Sequence, residues 1–287
     1  MHEPTEADGA VAGVGDVVTL TTSVPVAGGA ALAREAGGRV VFVGGALPGE
    51  RVEVEITEAR RDFARAATVR VVEPSEARIE PPCPYVLPGC GGCDLQHAAP
   101  AHQPSLKLTV VVDALRRLGR LTDPPVEAGP PLPADGFRTT VRCGVIDDRA
   151  GFRRARSHDV LAVDRCFVAH PLVNELIEQG RFAGADEVTL RVGASTGERL
   201  VLASPSAAGV ELPDALDDRT LVVGEDELAD GKRAWIHDEV GGHRFRISAH
   251  SFFQTRHDGA ELLARTCLLY TSPSPRDRTR SRMPSSA

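Results

Sequence analysis

The sequence has few aromatic side chains and no long apolar run. Phe, Trp and Tyr make up 4% of the 287 residues, with one Trp and two Tyr. No apolar stretch approaches the roughly 20 residues that a membrane-spanning helix needs, so we do not expect a membrane protein. Residues 1–8 are acidic and lack the basic start and apolar core of a secretory signal. The sequence therefore predicts a cytoplasmic protein, whose thiols stay reduced.

An excess of positive charge is also missing. The formal net charge is −7, which argues against the strongly basic class of nucleic-acid binders. Net charge governs only non-specific attraction, however, and local groups of arginines can still form a phosphate-binding face. The length of the chain allows two modest domains, each with its own core.

Cysteine, by contrast, is concentrated in one stretch. Cys83, Cys90 and Cys93 lie close together, and a fourth candidate ligand, Cys166, follows much later. Three neighbouring thiolates plus a distant one are typical of an iron–sulfur cluster site. Structural zinc also takes four thiolates, usually as two close pairs, and zinc stays open as an alternative. A disulfide framework is disfavoured because nothing marks the chain as secreted.

Residues 14–73 contain short alternating runs separated by glycines. In the clearest run, Val52, Val54 and Ile56 share one face and charged residues occupy the other. About five such runs predict a small barrel of the OB type.

A helix is predicted over residues 105–118, because apolar residues recur there at helical spacing. A proline-rich linker follows it. Strands are then predicted from residue 137 onward. Cys143 falls on the buried face of the first strand and is predicted to be a core thiol.

Arg138 and Arg142 lie on the opposite face of that first strand. Two guanidinium groups on one strand face suit contacts to RNA phosphates or bases. They also suit an edge strand that is kept soluble by charge. Both readings stay open from the residues alone.

Near the end of the chain, Phe252-Phe253-Gln254 combines aromatic faces with an amide. This combination suits stacking on an extruded base and reading its edge, although two core phenylalanines beside a surface amide would give the same sequence. Residues 267–287 lack periodicity and are rich in Ser, Pro and Arg, which predicts disorder. They also resemble a translated sequencing adapter, so we expect this tail to be an artefact.

Together these stretches resemble the RNA uracil-5-methyltransferases that carry a [4Fe–4S] cluster and use S-adenosylmethionine. The resemblance rests on Cys90-Gly-Gly-Cys93-Asp-Leu-Gln-His97 after Cys83, on Phe252-Phe253-Gln254, and on residues 42–52, which resemble the RNA-binding TRAM barrel of that family. The gap between Cys83 and Cys90 is one residue longer than the usual spacing of the family.

The resemblance implies a multi-domain protein. Its parts would be an OB-like TRAM barrel (14–73), a central α+β iron–sulfur domain (74–248) whose helix crosses to the catalytic domain, and the start of a Rossmann-like methyltransferase domain (249–266). It implies Gln254 as a contact to the methyl donor and Phe252, Arg138 and Arg142 as contacts to RNA. It implies four cluster ligands, namely Cys83, Cys90, Cys93 and Cys166.

The activity implied by the resemblance is the formation of 5-methyluridine in ribosomal or transfer RNA, with a cysteine thiolate adding to uracil C6. The family places its nucleophile and base after the position where this sequence turns into its tail. We therefore predict a truncated, monomeric chain that is itself inactive. The alternative is a non-catalytic RNA-binding module with a structural iron–sulfur or zinc site.

Overall fold

The computed structural model describes residues 11–271. The chain divides into two compact units, with the boundary between Pro131 and Leu132. Residues 74–131 therefore belong to the same unit as the barrel, whereas the sequence grouped them with later residues in a central domain. The proposal of a separate domain that begins at residue 249 stays a prediction.

The first unit is built on a closed barrel in the order β1-β2-β3-β5-β4. The strands β3 and β5 are parallel and the other neighbours are antiparallel. Val52, Val54 and Ile56 are fully buried, as their alternation predicts. The strands are β1 (Val17–Val26), β2 (Ala30–Arg34), β3 (Val40–Gly44), β4 (Arg51–Ala59) and β5 (Phe63–Glu73).

Turns connect the barrel to the helix α1 (Gln103–Arg117). The helix lies within two residues of its predicted span. None of its residues is fully buried, and Leu118, which the sequence assigns to an apolar stripe, is 83% exposed. A small apolar cluster packs the turns on the barrel; it consists of Leu47, Ala77, Ala98 and, at its edge, Leu106.

A buried carboxylate joins the barrel to the connecting turns. Glu50 has no exposed surface, and it accepts hydrogen bonds from the backbone N–H groups of Leu47 (2.7 Å) and Ser75 (3.2 Å). The guanidinium of Arg78 binds both of its oxygens and also donates to the carbonyl of Gly45 at 2.7 Å. Burial by itself would raise the pKa of Glu50, but the hydrogen bonds and charge of Arg78, with the two backbone donors, bring it below its usual range.

The second unit contains a six-stranded sheet in the order β13-β11-β10-β6-β7-β8. All neighbours are antiparallel except β11 and β13. The strands are β6 (Thr140–Ile146), β7 (Arg149–Arg153), β8 (Val160–Ala162), β10 (Glu187–Val192), β11 (Arg199–Ser204) and β13 (Thr220–Gly224). A separate pair is formed by β9 (Arg181–Ala183) and β12 (Gly209–Glu211). The helices in this part are α2 (Pro171–Gln179), α3 (Asp214–Asp217) and α4 (Glu225–Ala229).

The last elements are a hairpin and a helix: β14 (Trp235–Val240), β15 (His243–Ser248) and α5 (His257–Thr271). The sequence predicts disorder from residue 267 onward, but α5 continues to Thr271. The rest of the predicted disordered tail lies outside the described residues. In the described part of the chain, no helix is both long and apolar enough to cross a membrane.

Two expectations about the first strand of this unit differ in their outcome. Cys143 is fully buried, so its prediction as a core thiol is confirmed. The strand itself begins at Thr140 and not at residue 137. Arg138 lies before it, and Thr139 between them is buried with its N–H bonded to the carbonyl of Thr255 and its carbonyl to the N–H of Val192.

We predict that Glu50→Ala lowers the free energy of unfolding of the first unit by about 3 kcal/mol, because it leaves Arg78 and two backbone N–H groups without their partner. Urea denaturation followed by circular dichroism measures this. Glu53→Gln is the matched control, since the Glu53–Arg70 pair is exposed and is expected to contribute nothing measurable.

The contribution of Glu50 should also depend on pH. Because its pKa is lower in the folded state, the stabilisation is complete above the ordinary glutamate pKa and is lost as the pH falls toward the folded value. Glu50→Gln should therefore flatten the acid limb of the stability curve. An unchanged acid limb would contradict this role.

Candidate functional site

The three clustered cysteines lie on a turn-rich loop of the first unit. Cys83, Cys90 and Cys93 are each half-buried, and they are not joined by disulfides. The loop is closed by backbone hydrogen bonds from Val86 to Cys83 (3.3 Å) and from Cys90 to Tyr85 (2.9 Å). A Cβ on Gly92 would lie 3.6 Å from Cys90 Sγ, an ordinary contact, so this glycine lies directly beside the thiol.

The barrel fixes where this loop lies. A Cβ on Gly29, in the β1–β2 turn, would be 2.3 Å from the carbonyl oxygen of Asp94, which follows Cys93. Gly29 also has φ +72, which glycine adopts freely. The turn of the barrel therefore touches the backbone next to the cysteines, and only glycine fits this contact.

The donor chemistry of the loop fits a thiolate-bound metal group. Burial raises the pKa of the Cys90 thiol; the backbone N–H of Gly92 opposes this rise, and the charges of Cys93 and Cys83 add to it. A bound metal stabilises the thiolate form of a cysteine, so it would oppose the effect of burial on the Cys90 thiol. Two buried polar atoms just after the loop, Gln96 Oε1 and His97 Nε2, have no hydrogen-bond partner.

The positions of the side chains do not form a closed coordination sphere. Within residues 11–267, no group of three or more His, Cys, Asp or Glu side chains is arranged to hold a metal ion. Burial lowers the pKa of His97, and the charge of Arg78 lowers it further, so its imidazole stays neutral. The loop thus supplies the ligand types without a finished site.

Cys166 lies in the second unit, in a turn that leads into α2. The side chain of Asn174, on that helix, accepts a hydrogen bond from the N–H of Cys166 (2.8 Å) and donates to its carbonyl oxygen (3.1 Å). It also donates to the carbonyl of Ala169 at 3.2 Å. Asn174 is 6% exposed, so the turn around Cys166 is held by a buried amide.

The start of α2 is fixed by His170. Its Nδ1 accepts a hydrogen bond from the N–H of Leu172 at 3.3 Å, which is the contact of an N-terminal cap, and Pro171 follows as the first residue of the helix. Burial lowers the pKa of His170. The neutral imidazole that can accept this hydrogen bond is therefore favoured.

The backbone of Arg138 lies between two other predicted site segments. Its N–H donates to the carbonyl of Val168 (2.7 Å), and its carbonyl accepts from the N–H of His170 (2.9 Å). On its other side it forms an antiparallel bridge with Arg256. The second unit thus brings Arg138, the Cys166 turn and residues 252–256 together. The Nε of Arg138 is buried and has no hydrogen-bond partner.

Arg142 is placed differently. It is exposed on β6 and forms an ion pair with Glu187 on the neighbouring strand β10. Arg153 approaches the same carboxylate at 3.5 Å. The charge of Arg142 is therefore partly neutralised within the protein, which weakens its case as a phosphate contact.

Residues 252–254 lie between β15 and α5. Phe252 is 84% exposed and Gln254 is also exposed, whereas Phe253 packs at the edge of an apolar cluster. Such exposure is uncommon for a phenylalanine in a structured segment, and a nucleobase is one surface that could cover the ring. The segment is anchored by Arg256, which lies 4.3 Å from the centre of the Phe137 ring and binds Asp258 at 2.7 Å.

Sequence reasoning missed a hydrogen-bonded group at the start of α5. His257 Nδ1 lies 3.2 Å from buried Asp238, whose other oxygen accepts from the N–H of Ser195 at 2.9 Å. The Ser195 hydroxyl lies 3.4 Å from His257 Nε2 and donates to the carbonyl of Glu239 at 3.2 Å. Because the hydroxyl proton of Ser195 is donated to the carbonyl of Glu239, Ser195, Asp238 and His257 together anchor the start of α5.

Asn174 was also missed, although a signal existed. It is the one polar residue among Val173, Leu176 and Ile177, which form the buried side of α2. A polar residue inside an apolar helical stripe indicates a buried hydrogen-bond partner. The Asp238–His257 pair had no such signal, because its members are far apart in sequence.

Comparison with known proteins finds a domain family for the barrel. Residues 14–69 match the model of the TRAM domain. The N-terminal barrel is therefore similar to TRAM domains. The match agrees with the likeness to a TRAM barrel that the sequence predicts, and the matched residues cover the closed five-stranded barrel except for the end of β5.

Relatives of the whole chain carry the names of RNA-modifying enzymes. A protein of Streptomyces avermitilis named an uncharacterised RNA methyltransferase is 37% identical over 269 residues, which cover 85% of this chain and 61% of that protein. The 23S rRNA (uracil(1939)-C(5))-methyltransferase RlmD of Photorhabdus laumondii is 35% identical over 170 residues, covering 56% of this chain and 38% of that protein. The chain thus spans about three fifths of the length of the S. avermitilis relative.

A solved structure shares the fold. It is the Pyrococcus abyssi tRNA (uracil-54, C5)-methyltransferase in complex with S-adenosyl-L-homocysteine, with a TM-score of 0.57 and 19% identity. The match covers 86% of this chain and 64% of that one. At this identity the comparison concerns the fold alone, and the iron–sulfur domain and the start of a methyltransferase domain that the resemblance implies stay predictions.

We predict that Asn174→Ala lowers the free energy of unfolding of the second unit by about 2 kcal/mol, because three buried hydrogen bonds at the Cys166 turn are lost. Gln179→Ala is the control, since Gln179 is an exposed amide on the same helix. Urea denaturation measures both. Equal effects of the two variants would show that the amide of Asn174 does not hold the turn.

Proposed function

We propose that this protein is an S-adenosylmethionine-dependent methyltransferase that acts on C5 of uracil in RNA. The observation that carries the proposal is the backbone pairing of Arg138 with the Cys166 turn on one side and with residues 252–256 on the other. Three segments singled out separately in the sequence are thereby neighbours in one unit. The TRAM barrel and the names of the relatives support RNA as the substrate.

Within this proposal, Cys83, Cys90, Cys93 and Cys166 hold a [4Fe–4S] cluster. The half-buried thiols on one loop are compatible with thiolate ligation. When bound, the cluster would offset the repulsion between the thiolates with its positively charged iron ions and hold the loop in place. Asn174 holds the backbone on both sides of the Cys166 peptide, so it orients this ligand.

The RNA contacts are assigned to residues that the second unit leaves exposed or unpaired. Phe252 offers an exposed ring on which an extruded base can stack. Arg138 keeps one buried N–H without a partner next to that segment. Arg142 contributes less, since Glu187 already engages it. Gln254 is exposed and is assigned to the methyl donor by resemblance alone.

A non-catalytic RNA-binding module with a structural zinc site is the second candidate. It is favoured by one observation, namely that the side chains of the loop that can bind a metal are thiols, which structural zinc also takes as ligands. Metal content separates the two candidates, because a zinc-loaded protein is colourless and an iron–sulfur protein is brown.

We predict that Cys90→Ser removes most of the iron and the visible absorption from protein reconstituted anaerobically with iron and sulfide. Cys166→Ser should have the same effect. Cys143→Ser is the matched control, because this thiol is fully buried in the sheet and should leave the iron content unchanged. Iron, sulfide and zinc analysis measures the outcome, and a stoichiometric zinc content without iron would favour the second candidate.

We predict that the protein binds uridine-containing single-stranded RNA and that Phe252→Ala weakens this binding about tenfold, the loss of one stacked base. Fluorescence anisotropy of labelled RNA measures the affinity. Leu263→Ala is the control, since Leu263 is an exposed apolar residue on α5. Equal affinities of the two variants would contradict the role of Phe252.

Methyl transfer is tested with the same RNA and radiolabelled S-adenosylmethionine. Transfer of label to C5 of uridine would support the proposed chemistry. Binding of RNA without transfer would favour the second candidate.

A further inference from the structure

The hairpin of β14 and β15 has two different faces. Its inner face carries Ile236 and Ile247, which are paired across the strands and buried in an apolar cluster with residues of β11 and β13. The opposite side carries Trp235, His237, Glu239, Arg244 and Arg246, and we call it the outer face of the hairpin. The alternation along both strands therefore separates a core side from an exposed side with one indole, two guanidinium groups and one carboxylate.

Trp235 and Arg246 form a pair on the outer face. The guanidinium carbon of Arg246 lies 5.3 Å from the centre of the indole ring, and Trp235 is 38% exposed. This is the geometry of a cation–π contact. The indole thus has an accessible surface and a positive charge beside it.

The charge of Arg246 is not neutralised by the protein. Its neighbours on the outer face, His237 and Arg244, share the carboxylate of Glu198 at 3.3 and 3.4 Å. In the described part of the chain, no ion pair involves Arg246. In a protein with a net charge of −7, an arginine without an acidic partner beside an exposed indole is more than a solubilising charge.

The hairpin is continuous with the segment that carries Phe252. The ring of Phe245 on β15 is 42% exposed and lies 5.7 Å from the ring of Phe253. The next side chain in sequence, Phe252, is the exposed ring assigned above to base stacking. Phe245 alternates with Ile247 and lies on the inner side of the hairpin, so this contact ties the segment of Phe252 to the core side and leaves the outer face free of it.

We propose that the outer face of the hairpin is a second RNA contact, which binds single-stranded RNA by stacking a base on Trp235 while Arg246 meets a phosphate. The proposal extends the proposed function, since it requires an RNA substrate but no assignment of the methyl-transfer site. A base that is free to stack favours single-stranded RNA, because a duplex hides its base faces. An acidic peptide would satisfy Arg246 but would leave the indole face unused.

The test uses the intrinsic fluorescence of the protein. Trp235 is the only tryptophan of the chain, so emission excited selectively from tryptophan reports on this face. A short oligouridylate is expected to quench the emission in a saturable way, with the same midpoint as its binding curve from anisotropy. A duplex RNA and an oligoglutamate peptide are expected to leave the emission unchanged.

Variants separate stacking from charge. Trp235→Ala should weaken oligouridylate binding about tenfold, whereas Trp235→Phe, which keeps a ring, should stay close to wild type. Arg246→Gln should weaken binding about threefold and lower the salt dependence by about one counterion. Arg181→Gln is the matched control, because it removes one exposed charge from β9 in the same unit and should have no effect.

The outcomes distinguish this proposal from the proposed function. If anisotropy detects RNA binding but the emission is unchanged and Arg246→Gln binds as tightly as Arg181→Gln, the hairpin contact is wrong and the RNA-binding function stands. If no variant and no wild-type protein binds RNA, the proposed function itself fails. Quenching by the peptide in place of RNA would assign the face to a protein partner and overturn the proposal. Should Trp235→Ala fail to fold, quenching and Arg246→Gln decide the question.

Discussion

The buried carboxylate of Glu50 is the contact on which the arrangement of the first unit depends. An isolated buried charge is unfavourable, so Glu50 is tolerated only because Arg78 and two backbone N–H groups satisfy it. Arg78 belongs to the connection after the barrel, which leads to the cysteines. The ion pair therefore fixes that connection on the barrel, and the contact of Gly29 with Asp94 fixes its far end. The cysteine loop needs no regular secondary structure of its own, since both of its flanks are held.

In the second unit, hydrogen bonds of the backbone have the corresponding role. Arg138 is not part of a regular strand, yet its peptide groups bond to the turn after Cys166, and it bridges to Arg256 on the other side. Asn174 completes the turn from the helix side. Backbone contacts of this kind do not depend on side-chain identity. Here they hold the turn after Cys166 and the segment before α5 on either side of Arg138. Functional side chains can then vary without loss of the scaffold.

The charge of the protein is best understood locally. Arg142 and Arg244 both lie on exposed strand surfaces but have acidic partners in Glu187 and Glu198. Arg246 lacks such a partner and lies beside an indole. An overall negative charge discourages non-specific binding to nucleic acid, so a phosphate contact needs an arginine that has no acidic partner, as Arg246 has none among the described ion pairs. In such a protein, the site at which RNA binds depends on which arginines are paired with carboxylates, and less on the overall composition.

The sequence by itself determined the barrel, the helix α1 and the concentration of thiols, because alternation, helical spacing and clustered cysteines are local patterns. Val52, Val54 and Ile56 are buried as their alternation requires, and Cys143 is a core thiol. The tertiary structure alone decided that the backbone of Arg138 bridges to Arg256, that Glu50 is buried, and that His257 contacts Asp238. Each of these depends on partners that are distant in the chain, and the energy of a buried polar contact is set by those partners. A local pattern contains no information about them.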